Sequence, residues 1–284
     1  MAIGRSSKAP SSNSRFTFVS WTFLVLTTII ALFPMYWLFT NALTPISSNP
    51  PLKPILVPAF QLDNIVRLLG GTTFYLTWMR NSLLVTFCVT LWHVFFDTMA
   101  GYAFAKKQFP LRNVFFWLIV STLMIPPQVT LIPLYVITLR LGLHDNLLAV
   151  ILPGTALTFG IFLMRQFIQT LPSELEDAAR VDGASVFTIY WRIILPLAGP
   201  VLTTLAILTF VSMWNSYFFP LVMLNKPELQ VLTVGLTLLQ GQYGAGALGP
   251  VAAALAMAIV PVLVIFLLLQ KYIIQSIVST GIKG

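Results

Sequence analysis

Charge is what this chain has least of. Asp, Glu, Lys and Arg make up 8% of its 284 residues, against about 25% in soluble globular domains. Hydrophobic residues make up 57%, and the mean hydropathy is +0.88. Such a composition excludes an ordinary water-soluble domain and implies a polytopic membrane protein. Cysteine occurs once, at Cys88 inside an apolar run, which excludes a disulfide framework. Histidine occurs twice, at His93 and His144, far apart and with no His-Glu-x-x-His motif, so no metal site is indicated. A Gly-x-x-x-x-Gly-Lys-Ser/Thr loop is also missing, so the chain has no P-loop with which to hold ATP, and no bound cofactor is expected. One cysteine, two scattered histidines and eight carboxylates assemble no catalytic constellation, which argues against an enzyme. The net charge of +8 is spread over the ends of apolar runs rather than gathered in a patch, which argues against a nucleic-acid partner. There is no internal repeat or low-complexity tract, and one domain, 1–284, is the economical reading.

What is present is a series of long apolar runs. Six of them have the roughly 20 residues needed to cross a bilayer core as a helix, near 17–41, 80–105, 113–137, 147–168, 198–223 and 251–275. The fold class is therefore all-α. The polar, basic N-terminal segment precedes a first run too long for a signal-peptide core and without a small-residue cleavage site, so it reads as a retained anchor. With the N-terminus inside, eleven of the sixteen Lys and Arg residues fall on inner segments and five on outer ones. That bias places both termini, and the 169–196 segment, in the cytoplasm. Outside, prolines at 45, 50, 51, 54 and 58 break the first half of the 42–79 connection. Phe60, Leu62, Ile65, Leu68 and Leu69 suggest a short amphipathic helix on the membrane surface. A second outer connection, 224–250, ends in a glycine-rich stretch at 240–246 that reads as flexible.

Four of the eight acidic residues, Glu174, Glu176, Asp177 and Asp182, fall within nine positions of the inner segment. Concentrating scarce carboxylates there implies a surface that meets water and a partner. Ser173 followed by Glu176 reads as a capping box, Gly183 as a helix stop, Ser185 as a second cap and Pro196 as the close of the second helix. Leu175, Ala178, Ala179 and Asp182 share one helical face, on which the alanines leave the backbone close to a partner's groove. This segment resembles the EAA loop of ABC importer permeases. Here the pattern is Asp177-Ala178-Ala179, Asp182-Gly183 and Ile194-Leu195-Pro196, with Asp177 where the family usually has Glu. Asn81-Ser82 and the stretches 141–143, 160–166, 241–243 and 280–284 also look like the maltose-transporter type of these permeases, so the likeness runs from about residue 16 to the end.

The resemblance implies a permease subunit in a bacterial-type inner membrane, paired with a second, homologous membrane subunit in contact with lipid. It further implies an extracytoplasmic solute-binding protein and two copies of a cytoplasmic ATPase carrying ATP and Mg. The ATPases would dock on a helix-Gly-helix coupling loop made of Glu176, Asp177, Ala178, Ala179, Asp182 and Gly183. Closure of the ATPases would move this loop as a lever and switch the spans between inward- and outward-facing states. The C-terminal tail with Lys283 either reaches between the ATPases or is simply a mobile end.

Two further groups invite function. Trp214, Asn215, Tyr217 and Phe218 combine aromatic faces with an amide near the outer half of the fifth run, roughly 24 Å from its start at 1.5 Å per residue. Such a set suits a sugar ring, and equally an interfacial aromatic belt. The Trp214-Asn215 and Pro220-Leu221 pairs resemble the carbohydrate branch of the family, which favours the pathway reading. His93 and Asp97 stand four apart on the second run. A proton relay is one reading, and a hydrogen bond from Asp97 to a neighbouring helix is the plainer one. An ion-coupled secondary transporter remains the alternative function; a passive channel would leave the charged segment unexplained.

Overall fold

The computed structural model describes residues 14–44, 57–70, 74–243 and 248–281. Among them there are helices and no strand, as expected where lipid cannot hydrogen-bond the backbone. Four helices are long and apolar enough to cross a membrane: Phe18–Ala42, Tyr75–Lys106, Leu148–Ile168 and Leu248–Lys271. Two bent pairs raise the number to six if each counts as one span: Arg112–Met124 with Pro127–Arg140, at 102°, and Val186–Leu197 with Gly199–Trp214, at 77°.

In chain order, α1 is Ser14–Ala42 and α2 is Asp63–Leu69. Helix α3 (Tyr75–Trp92) runs through a π-turn (His93–Asp97) into α4 (Thr98–Lys106). Then come α5 (Arg112–Ser121), α6 (Pro127–Arg140), α7 (Leu148–Gly154) and α8 (Phe159–Ile168). The inner segment holds α9 (Glu174–Val181), α10 (Val186–Ile189), a π-turn (Tyr190–Ile194) and α11 (Leu195–Leu197). Helices α12 (Gly199–Trp214), α13 (Phe218–Met223), α14 (Leu232–Tyr243) and α15 (Leu248–Gly281) complete the chain.

Several expected spans differ. The third, 113–137, is not one helix. Ile125 is extended ahead of Pro126, as a residue before proline must be, and neither Pro126 nor Pro127 can donate to a helical ladder. The fifth begins at the Gly199-Pro200 corner and stops at Trp214, with residues 215–217 outside any helix. The fourth is interrupted at 155–158. The second starts at Tyr75 rather than 80, and the sixth runs from Leu248 to Gly281 rather than 251–275. The outer connection contains a helix, α14, that its glycines concealed; Gly235 is there because a Cβ would lie 2.2 Å from the Trp78 ring. Residues 244–246 of the expected flexible stretch, like Lys283 and the prolines at 45–54, lie outside the described residues. The surface helix near 60–69 is also more firmly seated than expected. Leu68 is buried in the core and Ile65 packs against α1 and α15, while Phe60, Leu62, Val66 and Leu69 stay exposed.

Small residues let the helices close up. Ala42 of α1 meets Ala252, Ala253 and Ala256 of α15, the small-residue packing that membrane helices favour. Gly101 sets α4 against α8 so closely that a Cβ would sit 2.6 Å from Met164 Cβ and 2.9 Å from the Arg165 backbone nitrogen. At its Tyr75 end, span two grips the 227–232 segment. Trp78 Nε1 donates to Pro227 O at 2.6 Å, Asn81 Nδ2 to Glu228 O and Gln230 O at 3.0 Å each, and Leu232 N–H donates to Ser82 Oγ at 2.7 Å. A second outer knot forms at Asp145. Its left-handed backbone, φ 54°, turns Oδ1 onto the N–H groups of Asn225 and Lys226.

Two outcomes follow. Gly101→Leu overpacks the α4–α8 contact at a cost of at least about 1–3 kcal/mol, so the thermal midpoint of the detergent-purified protein falls; an unchanged midpoint would refute the close contact. The Asp145 carboxyl is held below the usual aspartate range, chiefly by the Asn225 N–H, with Lys226 N–H and the charges of His144 and Lys226 adding against a burial penalty. A lowered folded-state pKa stabilises above the unfolded value of about 3.9 and is lost as pH falls through the folded value. Amide exchange at Asn225 and Lys226, corrected for intrinsic rates, should therefore stay slow between about pH 5 and 8 and rise only below about pH 4. Asp145→Ala should make it fast throughout.

Candidate coupling site and transport path

Two lysines end α4, and both reach the inner segment. Lys106 Nζ donates to the Leu171 carbonyl and, at 3.2 Å, to Ser173 Oγ. Lys107 Nζ donates to Glu176 Oε2 at 2.9 Å. The same oxygen accepts from the Tyr102 hydroxyl at 3.1 Å and from Arg180 Nη2 at 3.3 Å. Glu176 is only 2% exposed. Burial pulls the Lys107 ammonium down, but its hydrogen bonds to Tyr102 and Glu176 outweigh this and raise its pKa above the ordinary lysine value; Lys107 stays charged. The capping box expected from Ser173 and Glu176 is therefore absent. Ser173 has helical backbone angles and makes no side-chain cap, because Lys106 engages its hydroxyl and the stronger charge of Lys107 draws Glu176 inward.

Helix α9 ends in a Schellman motif. Gly183, at φ 80°, donates to Arg180 O at 3.0 Å and Ala184 donates to Ala179 O at 2.9 Å. Ser185 then caps α10 by accepting the Thr188 N–H at 3.2 Å. The second arm is not closed by Pro196, which lies within a helical run continuing to Leu197; the turn comes at Ala198, before α12. The expected common face of α9 splits. Ala179 packs inward with Tyr102, Met164, Ile168, Ile189 and Ile194, whereas Leu175, Asp177, Ala178 and Asp182 are exposed. Val181, 88% exposed, and Phe187, 66% exposed, are large apolar side chains open on the same segment. Glu176 and Ala179 thus look into the helices, and Asp177, Ala178 and Asp182 away from them.

The four residues at the end of the fifth span also divide. Trp214 is buried, its ring stacked on Phe210 at 5.9 Å within the cluster that includes Tyr75, Trp78 and Leu232. The segment after it leaves the helix: Asn215 is exposed and donates back to Val211 O at 2.8 Å, and Ser216 O accepts from Thr233 Oγ1 at 2.6 Å. Tyr217 is half-buried, and Phe218 is 64% exposed in an edge-to-face pair with it. Asn215 and Phe218, not Trp214, face an open surface.

His93 and Asp97 do meet, through Nδ1 and Oδ2 at 2.6 Å, both buried in the π-turn. His93 Nε2 lies 2.9 Å from the carbonyl of Gly154. A carbonyl only accepts, so Nε2 carries a hydrogen and the ring, not Asp97, makes the polar link to the neighbouring helix. Asp97 instead packs on Gly160, where a Cβ would be 1.9 Å from Oδ2. Among the described residues no three His, Cys, Asp or Glu side chains gather as metal ligands. Sequence reasoning passed over Tyr102, Lys106, Lys107 and Phe187. The signal was available for the lysines, a basic pair at the inner end of a span in a chain whose carboxylates cluster on one inner segment.

Comparison with known proteins bears on this arrangement. The family described as binding-protein-dependent transport system inner membrane component matches residues 97–279. The arabinooligosaccharides transport system permease protein AraQ of Halalkalibacterium halodurans is 35% identical over 272 residues, covering 95% of this chain and 94% of that protein. The sn-glycerol-3-phosphate transport system permease protein UgpE of Yersinia pestis is 31% identical, covering 90% and 94%. Among solved structures, a bacterial ABC transporter involved in the import of the acidic polysaccharide alginate superposes with a TM-score of 0.79 at 26% identity, covering 94% of this chain and 100% of that one. Nothing in these matches supports the ion-coupled alternative. With its long apolar helices, the chain belongs to the binding-protein-dependent transport system inner membrane components, as the non-enzymatic permease subunit of an ABC importer that works with a separate ATPase, a binding protein and a second permease.

Proposed function

We propose that this chain forms, as a single domain over 1–284, half of a sugar importer's translocation path, with six spans and both termini in the cytoplasm. The observation that carries the coupling part is the outward face of the inner segment. Leu175, Val181 and Phe187 stand exposed among Asp177, Ala178 and Asp182, an apolar patch rimmed by charge of the kind that protein partners cover. Two copies of the ATPase, holding ATP and Mg, dock on such loops, one on this chain and one on its homologous partner. Gly183 and its Schellman turn fix the angle between the two docked arms. ATP-driven closure pulls the loops together, the spans turn outward, and the binding protein releases its sugar into the cavity. The bias of Lys and Arg toward the inner segments supports this orientation.

The sugar class rests on Asn215, Tyr217 and Phe218, where the helix break offers an amide and two rings, and on relatives named for arabinooligosaccharides and sn-glycerol-3-phosphate. An exposed aromatic beside an amide suits the ring face and hydroxyls of a sugar or polyol, whether or not the solute also carries an anionic group.

Docking is tested by Phe187→Arg in the assembled transporter. The ATPase is expected to be lost on co-purification, because an unpaired charge placed in a closed interface costs several kcal/mol; full retention with normal uptake would refute the docked face. An arginine at Ala179 would not report on docking, since Ala179 is buried and the change would disrupt packing. For the path, Phe218→Ala should lower uptake at subsaturating sugar by roughly tenfold, about 1.4 kcal/mol, with the ATPase still bound. Unchanged uptake would remove Phe218 from the path.

A further inference from the structure

The inner segment is joined to α8 through residues 169–173 and packs on α4 and α8 through Ala179, Ile189 and Ile194; two further links lead to other spans. One is covalent, through Val186–Leu197 into α12, but it turns 77° at Ala198. The other is the grip of Lys106 and Lys107 on Leu171, Ser173 and Glu176. The second route leads into Tyr75–Lys106, a helix of 32 residues that at 1.5 Å per residue reaches about 48 Å. Its far end holds the outer 227–232 segment through Trp78, Asn81 and Ser82.

Folding alone does not account for Glu176. Its Oε1 is buried with no hydrogen-bonding partner among the described residues, while Oε2 accepts from Lys107, Tyr102 and Arg180. A buried ion pair is seldom more stabilising than well-packed apolar groups, and a half-satisfied carboxylate less so. What a charge pair provides and an apolar contact does not is a directional link that holds under load without tight packing.

We propose that the Glu176–Lys107 pair is the positioning contact through which movement of the inner segment enters span two, which delivers it to the outer 227–232 segment. The inference rests on the ATPase-docking reading and adds that Glu176 does not itself touch the ATPase. The tethered route matters because α9, which bears Leu175 and Val181, lies on the far side of the Gly183 turn from α12. A stroke applied to α9 therefore meets span two directly and α12 only through two corners.

The test uses the assembled transporter in proteoliposomes, with Cys88→Ser as background. In Glu176→Gln the ATPase stays bound, because the outward face is untouched. Stimulation of ATP hydrolysis by the sugar-loaded binding protein, and uptake per ATP, should fall by at least about tenfold, within the usual range of coupling between sites. Lys107→Met should do the same. The decisive variant is Lys107→Cys with Glu176→Cys, uncoupled when reduced and recoupled when a short bismaleimide joins the two positions. A purely structural role would not give recoupling by an uncharged tether. Full coupling in Glu176→Gln, loss of the ATPase in that variant, or failure of the tether to restore uptake would each overturn the inference. Docking is judged separately by Phe187→Arg, whose retention of the ATPase would count against the docked face and not against the Glu176 link.

Discussion

One carboxylate at the Lys106 end of span two joins that helix to the 174–194 segment. Lys107 and Tyr102 of span two engage Glu176, and Arg180, on the same helix α9, shares its oxygen. With Glu176 inside, Ala179 falls into the cluster of Met164, Ile168 and Ile189, and Leu175, Ala178 and Val181 turn to water. The exposed face of α9 lies on the side opposite this contact.

The same economy of polar groups appears deeper in the bundle. At three places where the helical ladder is broken, a side chain from another helix answers the freed backbone. His93 meets the Gly154 carbonyl beside the 155–158 break, Thr233 meets Ser216 after α12, and Asn81 takes the Glu228 and Gln230 carbonyls. Irregular backbone at membrane depth is tolerable only on such terms. Two of these three contacts belong to span two, so the helix gripped by the inner segment also holds the irregular backbone of its neighbours.

How much of this was legible depended on whether a feature is local. The first, second and sixth spans are long apolar runs, and their existence follows from composition alone. Gly183 and Ser185 act as turn and cap because both work on their immediate neighbours. The broken third span was readable in principle from Pro126-Pro127, but continuous hydropathy masked it. Helix α14 was hidden because Gly235 looks like a flexible residue until the Trp78 ring is placed against it. Ser173 and Glu176 have the spacing of a capping box, and the pattern fails because Lys106 and Lys107, some seventy residues earlier, compete for both side chains. Trp214 likewise reads as a pathway residue only until Phe210 and span two enclose it. In each case a long-range partner outweighed a correct local preference.

The central claim is that the inner segment and the end of span two move as one body. Spin labels at Gln108 and Arg192, both exposed and neither among the docked residues, measure this directly by pulsed dipolar spectroscopy on the complete transporter, nucleotide-free and then with ATP trapped. The account predicts a single distance that stays the same while the spans reorient. A distance that shifts by several ångströms between the two states would show the loop sliding over span two, and would contradict it.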